Sequence, residues 1–200
     1  MNRSGVVWLW VAIDADTKLV PSWLLGPRDL GAAHEFISDL ALRLRHRVQL
    51  TSDGHRPYLE AVENAFGADV DYAVLQKLYG ADLILENERR YSPSKCLGVD
   101  CKIVTGDPDP KHISTSYVER QNWTVRTTMR RYTRLSNGFS RKVENHAAAV
   151  ALNYFAYNFI KITGHCARRP RWRQASRPSC GRFLISWRCS KLRSPKKQRS

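Results

Sequence analysis

The sequence predicts an α/β fold, a mixed sheet flanked by helices, and three observations carry that prediction. Residues 6–13 form an unbroken β-branched and aromatic run. A strand apolar on every position suits a sheet covered on both faces. The periodicities that follow read strand, strand, helix, strand, helix. At 42% apolar in 200 residues, the chain has enough to bury one core.

The first run ends in Asp14, and a second, residues 18–25, follows the polar stretch Asp14-Ala15-Asp16-Thr17. A turn that short between two strands makes an antiparallel hairpin. Residues 31–47 place Ala33, Phe36, Ile37, Leu40 and Leu44 at helical spacing, with Arg43, Arg45 and Arg47 at the end where cations suit the helix dipole. Residues 48–52 are a short strand running into Asp53-Gly54, and residues 57–66 a helix with Pro near its first turn. Residues 71–79 form a further strand, whereas residues 80–110 are polar, proline-bearing and poorly periodic, a long excursion. A basic helix is expected over residues 112–134 and a largely apolar one over residues 144–160, with the turn signal Ser136-Asn137-Gly138 between them.

The net charge of +15 would ordinarily point to a polyanionic partner. Its distribution changes that reading. Residues 162–200 carry 12 Lys and Arg and no acid, so residues 1–161 hold the other 21 bases against all 18 acids, a net of +3. The two regions are therefore expected to differ: a folded domain over residues 1–161 and a disordered basic tail over residues 162–200. Five cysteines, three of them in the tail (Cys166, Cys180, Cys189), make no disulfide framework, and Cys96 and Cys101 have no partner pair of zinc-finger spacing. The opening apolar stretch is too short to span a bilayer, so no membrane association is expected.

Three carboxylates stand where chemistry is possible. Asp14 and Asp53 end strands, and strand ends border the crevice where open α/β sheets bind ligands. Glu119 lies on the basic helix. Carboxylates from separate elements can share a pair of hard divalent cations such as Mg2+, which activate an attacking oxygen and stabilise the leaving one at a phosphodiester. Taken alone, an aspartate at a strand end is more often a turn former. Asp16 competes with Asp14, because positions two apart share a strand face. Asp14 is preferred as following the apolar run directly, and Asp16 is read as turn chemistry. Glu119 and Arg126 are seven residues apart and project to one side of a helix. Arg120, Arg126, Arg130, Arg131 and Arg134, interleaved with Trp123 and Tyr132, suit phosphate contacts and stacking on unpaired bases. A basic helix face is also commonly just solvated.

The stretches VWLWVAID, LTSDGHRPYLEAV and YVERQNWTVRTTMRRYTRLSNGFSRKVENHAAAVALNYFAYNF, spanning residues 7–159, resemble the insertion-sequence transposases whose DDE catalytic domain is related to retroviral integrases and ribonuclease H. The resemblance implies a ribonuclease-H-like sheet and places the three family acids on Asp14, Asp53 and Glu119 as metal ligands, with Arg126 as the basic residue two turns on. It implies Mg2+ (or Mn2+) as cofactor, two ions. The implied reaction is cleavage at transposon ends and strand transfer into target DNA. The partners implied are DNA at both ends and target and, when active, further copies of the chain, in the cytoplasm at the nucleoid. Members usually carry a DNA-binding region before the first catalytic strand, where only about five residues precede it here. Beyond Phe159 the resemblance stops. Synonymous codons exist for which residues 164–192, read one base out of frame, give the family-like string RTLRTSPAMAAGVTAQLWTIPDQLALLEA. A frameshift near residues 162–163 is the reading this suggests, with Trp172 and Trp187 expected to be unburied.

Overall fold

A computed structural model of the chain describes residues 6–79, 96–133, 142–160 and 182–191. The turn signal at Ser136-Asn137-Gly138, Arg134 and Trp172 lie outside them, as does the Trp187 side chain.

Among the described residues there are six strands and four α-helices, and they begin in the strand, strand, helix, strand, helix order that the periodicities predict. β1 (Val6–Asp14) and β2 (Trp23–Gly26) form the expected antiparallel pair, Trp8 facing Gly26 and Val11 facing Trp23. α1 (Leu30–Arg43) starts where the Asp29 carboxylate accepts from the Ala32 amide at 2.9 Å, satisfying one of the free N–H groups of a helix start. It ends at Arg43, earlier than the apolar spacing suggested. β3 (Val48–Ser52) and α2 (Pro57–Phe66) fall where the sequence placed them. β4 (Val70–Tyr79) follows.

The excursion over residues 80–110 holds an element the periodicity did not reveal, β5 (Cys96–Thr105), antiparallel to β4. Its residues are nearly all exposed, so no buried face imposed an alternation on the sequence. The basic helix is shorter than expected. α3 covers Ser116–Thr128, and Arg130–Tyr132 form a separate 3-10 turn. α4 (Val143–Phe155) continues into a π-helical turn, Ala156–Ile160. There the Asn158 side chain clamps the loop after β1: its Oδ1 accepts from the Val20 amide at 3.1 Å and its Nδ2 donates to the Val20 carbonyl at 2.9 Å.

The expectation of an unpacked tail fails for part of it. Arg182–Lys191 form β6, and the strand order is β2-β1-β6-β3-β4-β5, so this late segment sits inside the sheet. Phe183, Leu184 and Ile185 are buried. The physical reason is local: three successive apolar residues of high strand propensity have neighbours on both sides, and their burial outweighs the basic composition around them.

The sheet is mixed, and its centre is covered on both faces while β5 stays exposed. On β1, Trp10 and Ala12 pack with Phe36, Leu40 and Tyr58 of α1 and α2. Leu9, Val11 and Ile13 pack with Val118 and Val125 of α3 and Val150 and Tyr154 of α4. That alternation explains the unbroken apolar run.

Candidate functional site

β6 decides where the three carboxylates stand. It runs antiparallel to β1 and parallel to β3, which makes β1 antiparallel to β3. The end of β1 and the end of β3 therefore point to opposite edges of the sheet. Asp14 faces Phe183, which faces Leu50, whereas Asp53 lies beyond Ser52, which is level with Ile185 and Ala12. The two aspartates are thus separated by roughly 10 Å along the strands and roughly 10 Å across them. Two carboxylates holding a metal pair of roughly 3.5–4 Å spacing cannot be so far apart.

Asp14 is only 8% exposed and is occupied by its own turn. One carboxylate oxygen accepts from the Asp16 amide at 3.0 Å, and the other accepts from the Thr17 amide at 3.3 Å and from the Thr17 hydroxyl. This corrects the sequence reading. Asp14 does the turn chemistry ascribed to Asp16, and Asp16 instead pairs with Arg182, the first residue of β6. A carboxylate directly before a chain reversal can accept from the amides two and three residues on, which makes it the natural organiser of that turn.

Asp53 accepts from the His55 amide at 3.3 Å, a local turn between β3 and α2. Gly54 stands against Gln76 of β4, at 3.2 Å from where a Cβ would be. Glu119 lies in the first turn of α3. Its Oε1 is 2.5 Å from Lys77 Nζ and accepts from the Thr115 hydroxyl at 2.9 Å. Because β3 and β4 are parallel, Asp53 and Lys77 lie toward the same sheet end, and the ion pair draws Glu119 to β4. The same first turn of α3 also reaches the hairpin after β1, where the Lys18 ammonium stands 3.2 Å from the Tyr117 ring centre.

The three acids are therefore not gathered into a ligand set. Among the described residues, no group of three or more His, Cys, Asp or Glu could hold a metal ion together. With Asp14 committed to its turn at the opposite end of the strands and Glu119 paired with Lys77, the donors as arranged do not fit the implied pair of ions.

The basic residues fare differently. Glu119 and Arg126 both lie on α3 and share a side of it. Arg120 and Trp123, three apart, are exposed, Trp123 at 63%. Arg130 and Arg131 fall in the 3-10 turn, and Arg131 donates to the Asn145 carbonyl at 2.9 Å, joining it to α4. Exposed aromatic and guanidinium side chains are in general able to stack on bases and to donate to phosphates.

Sequence reasoning missed Lys77, Lys18 and Arg182, each paired to a residue of the candidate region. No signal in the sequence joins residue 77 to 119 or 16 to 182, since those pairings depend on strand order. His55, packed against Trp10 and Tyr58 with ring centres 5.6 and 5.5 Å away, was missed as well. Burial, helped by Arg28, pushes its imidazole down to about 4. Burial also raises the Tyr58 hydroxyl well above its ordinary value and Tyr72 to about 12, so both stay protonated near Asp53.

No helix of the described residues is long and apolar enough to cross a membrane. Comparison with protein-family models, curated proteins and solved structures finds no match for the chain.

Proposed function

We propose that the chain is the catalytic domain of a DDE-type DNA transposase, acting on phosphodiesters by polynucleotidyl transfer. The observation that supports this reading is the ordered text of the three matching stretches over residues 7–159, the last of them supplying both Glu119 and the basic series of α3. The fold agrees at the coarser level of a mixed α/β sheet flanked by helices; its kinship to ribonuclease H belongs to the proposal.

In such a reaction negative charge builds on the non-bridging phosphate oxygens, and fixed cationic donors stabilise it. Arg120 and Arg126 are the α3 residues of that chemistry, and Trp123 offers its exposed ring to an unstacked base. Asp53 and Glu119 are the carboxylates the reading retains toward one end of the sheet. No step is assigned to bound metal, because the donors as arranged do not fit one.

The separation of Asp14 from Asp53 favours a second reading, a DNA-binding remnant of such a domain that attaches through its basic residues without catalysis. One assay divides the readings. The chain is incubated with labelled duplexes bearing free 3′-hydroxyl ends, target DNA and Mg2+. Joined products support the transferase, retention without cleavage or joining supports the remnant, and cleavage without joining supports a nuclease on the same fold.

A further inference from the structure

β5 is the last strand of the sheet, bonded to β4 on one side and to no described strand on the other. Such an edge offers a row of backbone donors and acceptors to any chain that can match it. Between the two irregularities of its pairing with β4, the register is continuous from Gly98 opposite Leu78 to Ile103 opposite Ala73. Within that run alternate residues share a face. Val99, Cys101 and Ile103 form one face, and Gly98, Asp100 and Lys102 the other. Val99 and Ile103 are 55% and 51% exposed, and Cys101 is an exposed free thiol. Neither Asp100 nor Lys102 has an ion-pair partner among the described residues.

The order Val99-Asp100-Cys101-Lys102-Ile103 is chemically symmetric about its centre. Laid antiparallel against a second copy with Cys101 on the two-fold axis, it sets Val99 opposite Ile103 and Asp100 opposite Lys102, twice each. Directly opposed residues of an antiparallel pair lie on the same face, so the apolar stripe continues across one side and two opposite-charge pairs form on the other. No neighbouring register does this. A shift of the axis to residue 100 or 102 opposes two aspartates or two lysines. An axis between 100 and 101 puts Val99 against Lys102 and Asp100 against Cys101.

We infer that β5 is a self-pairing edge, and that two copies of this chain join through it about an axis at Cys101 to make a sheet continuous across both. The partner is a second copy because the chain's own strand carries the complementary order. A two-fold contact of this kind closes at two subunits. The inference rests on the strand alone and does not depend on the proposed reaction.

The test uses the full chain with its native cysteines. Sedimentation at tens of micromolar should give a dimer. Mild treatment with a diazene thiol oxidant, followed by peptide mapping, should give a Cys101–Cys101 link, because opposed Cα atoms in an antiparallel pair are about 4.5–5.5 Å apart, within disulfide reach. Asp100→Lys opposes like charges twice and should weaken the dimer by about tenfold. Adding Lys102→Asp in the same chain reverses both charges and should restore it. Circular dichroism of both variants checks that the exposed substitutions leave the fold intact, and the cross-link in the unsubstituted chain stands apart from either. A monomer, an open-ended assembly, a dimer linked elsewhere than at Cys101, or failure of the double exchange to restore pairing would overturn the inference. A monomer would mean that Asp100 and Lys102 protect the edge instead.

Discussion

The Lys77 ammonium stands 2.5 Å from a Glu119 carboxylate oxygen, joining β4 to the first turn of α3. Both side chains are partly in water, at 31% and 44% exposure, so the pair positions Glu119 more than it stabilises the fold. Lys77→Met should lower unfolding free energy by less than about 1 kcal/mol. Urea denaturation measures this. A loss above about 2 kcal/mol would mean that the pair is a structural anchor.

Asp14 should behave as a turn organiser. Asp14→Ala removes an acceptor shared by two amides and a hydroxyl, at a cost of about 1–3 kcal/mol. Asp16→Ala, which loses an ion pair with Arg182 that is about a third exposed, should cost less than about 1 kcal/mol. The opposite order of the two losses in chemical denaturation would return the turn role to Asp16.

Stability should fall as the medium becomes acidic, earlier than carboxylate titration alone would cause. His55 is held at about 4 in the fold by burial and by Arg28, against an unfolded value near 6.5. The unfolded state therefore takes up the proton first, and stability present above about pH 6.5 is lost progressively down to about pH 4. Burial lowers His146 as well, in the same direction. Below that window Asp71, depressed by its contact with Arg47, adds a further loss as it protonates. His55→Phe should flatten the slope between pH 6.5 and 4. An unchanged slope would assign the dependence elsewhere.

β6 should be indispensable. Ile185 is fully buried against the α1 and α2 side of the sheet, so Ile185→Ala should cost about 2–5 kcal/mol. Ending the chain at residue 160 should abolish the cooperative thermal transition. A truncated chain that melts like the whole would show that residues 182–191 are dispensable.

The parts of the fold legible in the sequence are those decided locally. Val48–Ser52 and Pro57–Phe66 could be bounded to the residue because a short apolar strand, an Asp-Gly turn and a proline at a helix start each act within a few positions. β5 was hidden because exposure on both faces leaves no alternation to read. β6 was hidden because its apolar triplet Phe183-Leu184-Ile185 lies in a stretch whose charge dominated the composition. For the site, the sequence could place Asp14 at a strand end but not say at which edge of the sheet. That depends on β6 lying between β1 and β3, a pairing across more than 130 residues that no local periodicity encodes.

The central claim, that this domain transfers DNA strands with Asp53 and Glu119, is tested most directly by joining of a 3′-hydroxyl end to target DNA, comparing Asp53→Asn, Glu119→Gln and Asp14→Asn at equal concentrations of folded protein. Asp53→Asn and Glu119→Gln should reduce joining by at least about a hundredfold with DNA binding largely kept, since carboxylates serve the chemistry and basic residues the affinity. Asp14→Asn should join at nearly the unsubstituted rate. Joining that survives in Glu119→Gln, or is lost equally in Asp14→Asn, would contradict the account.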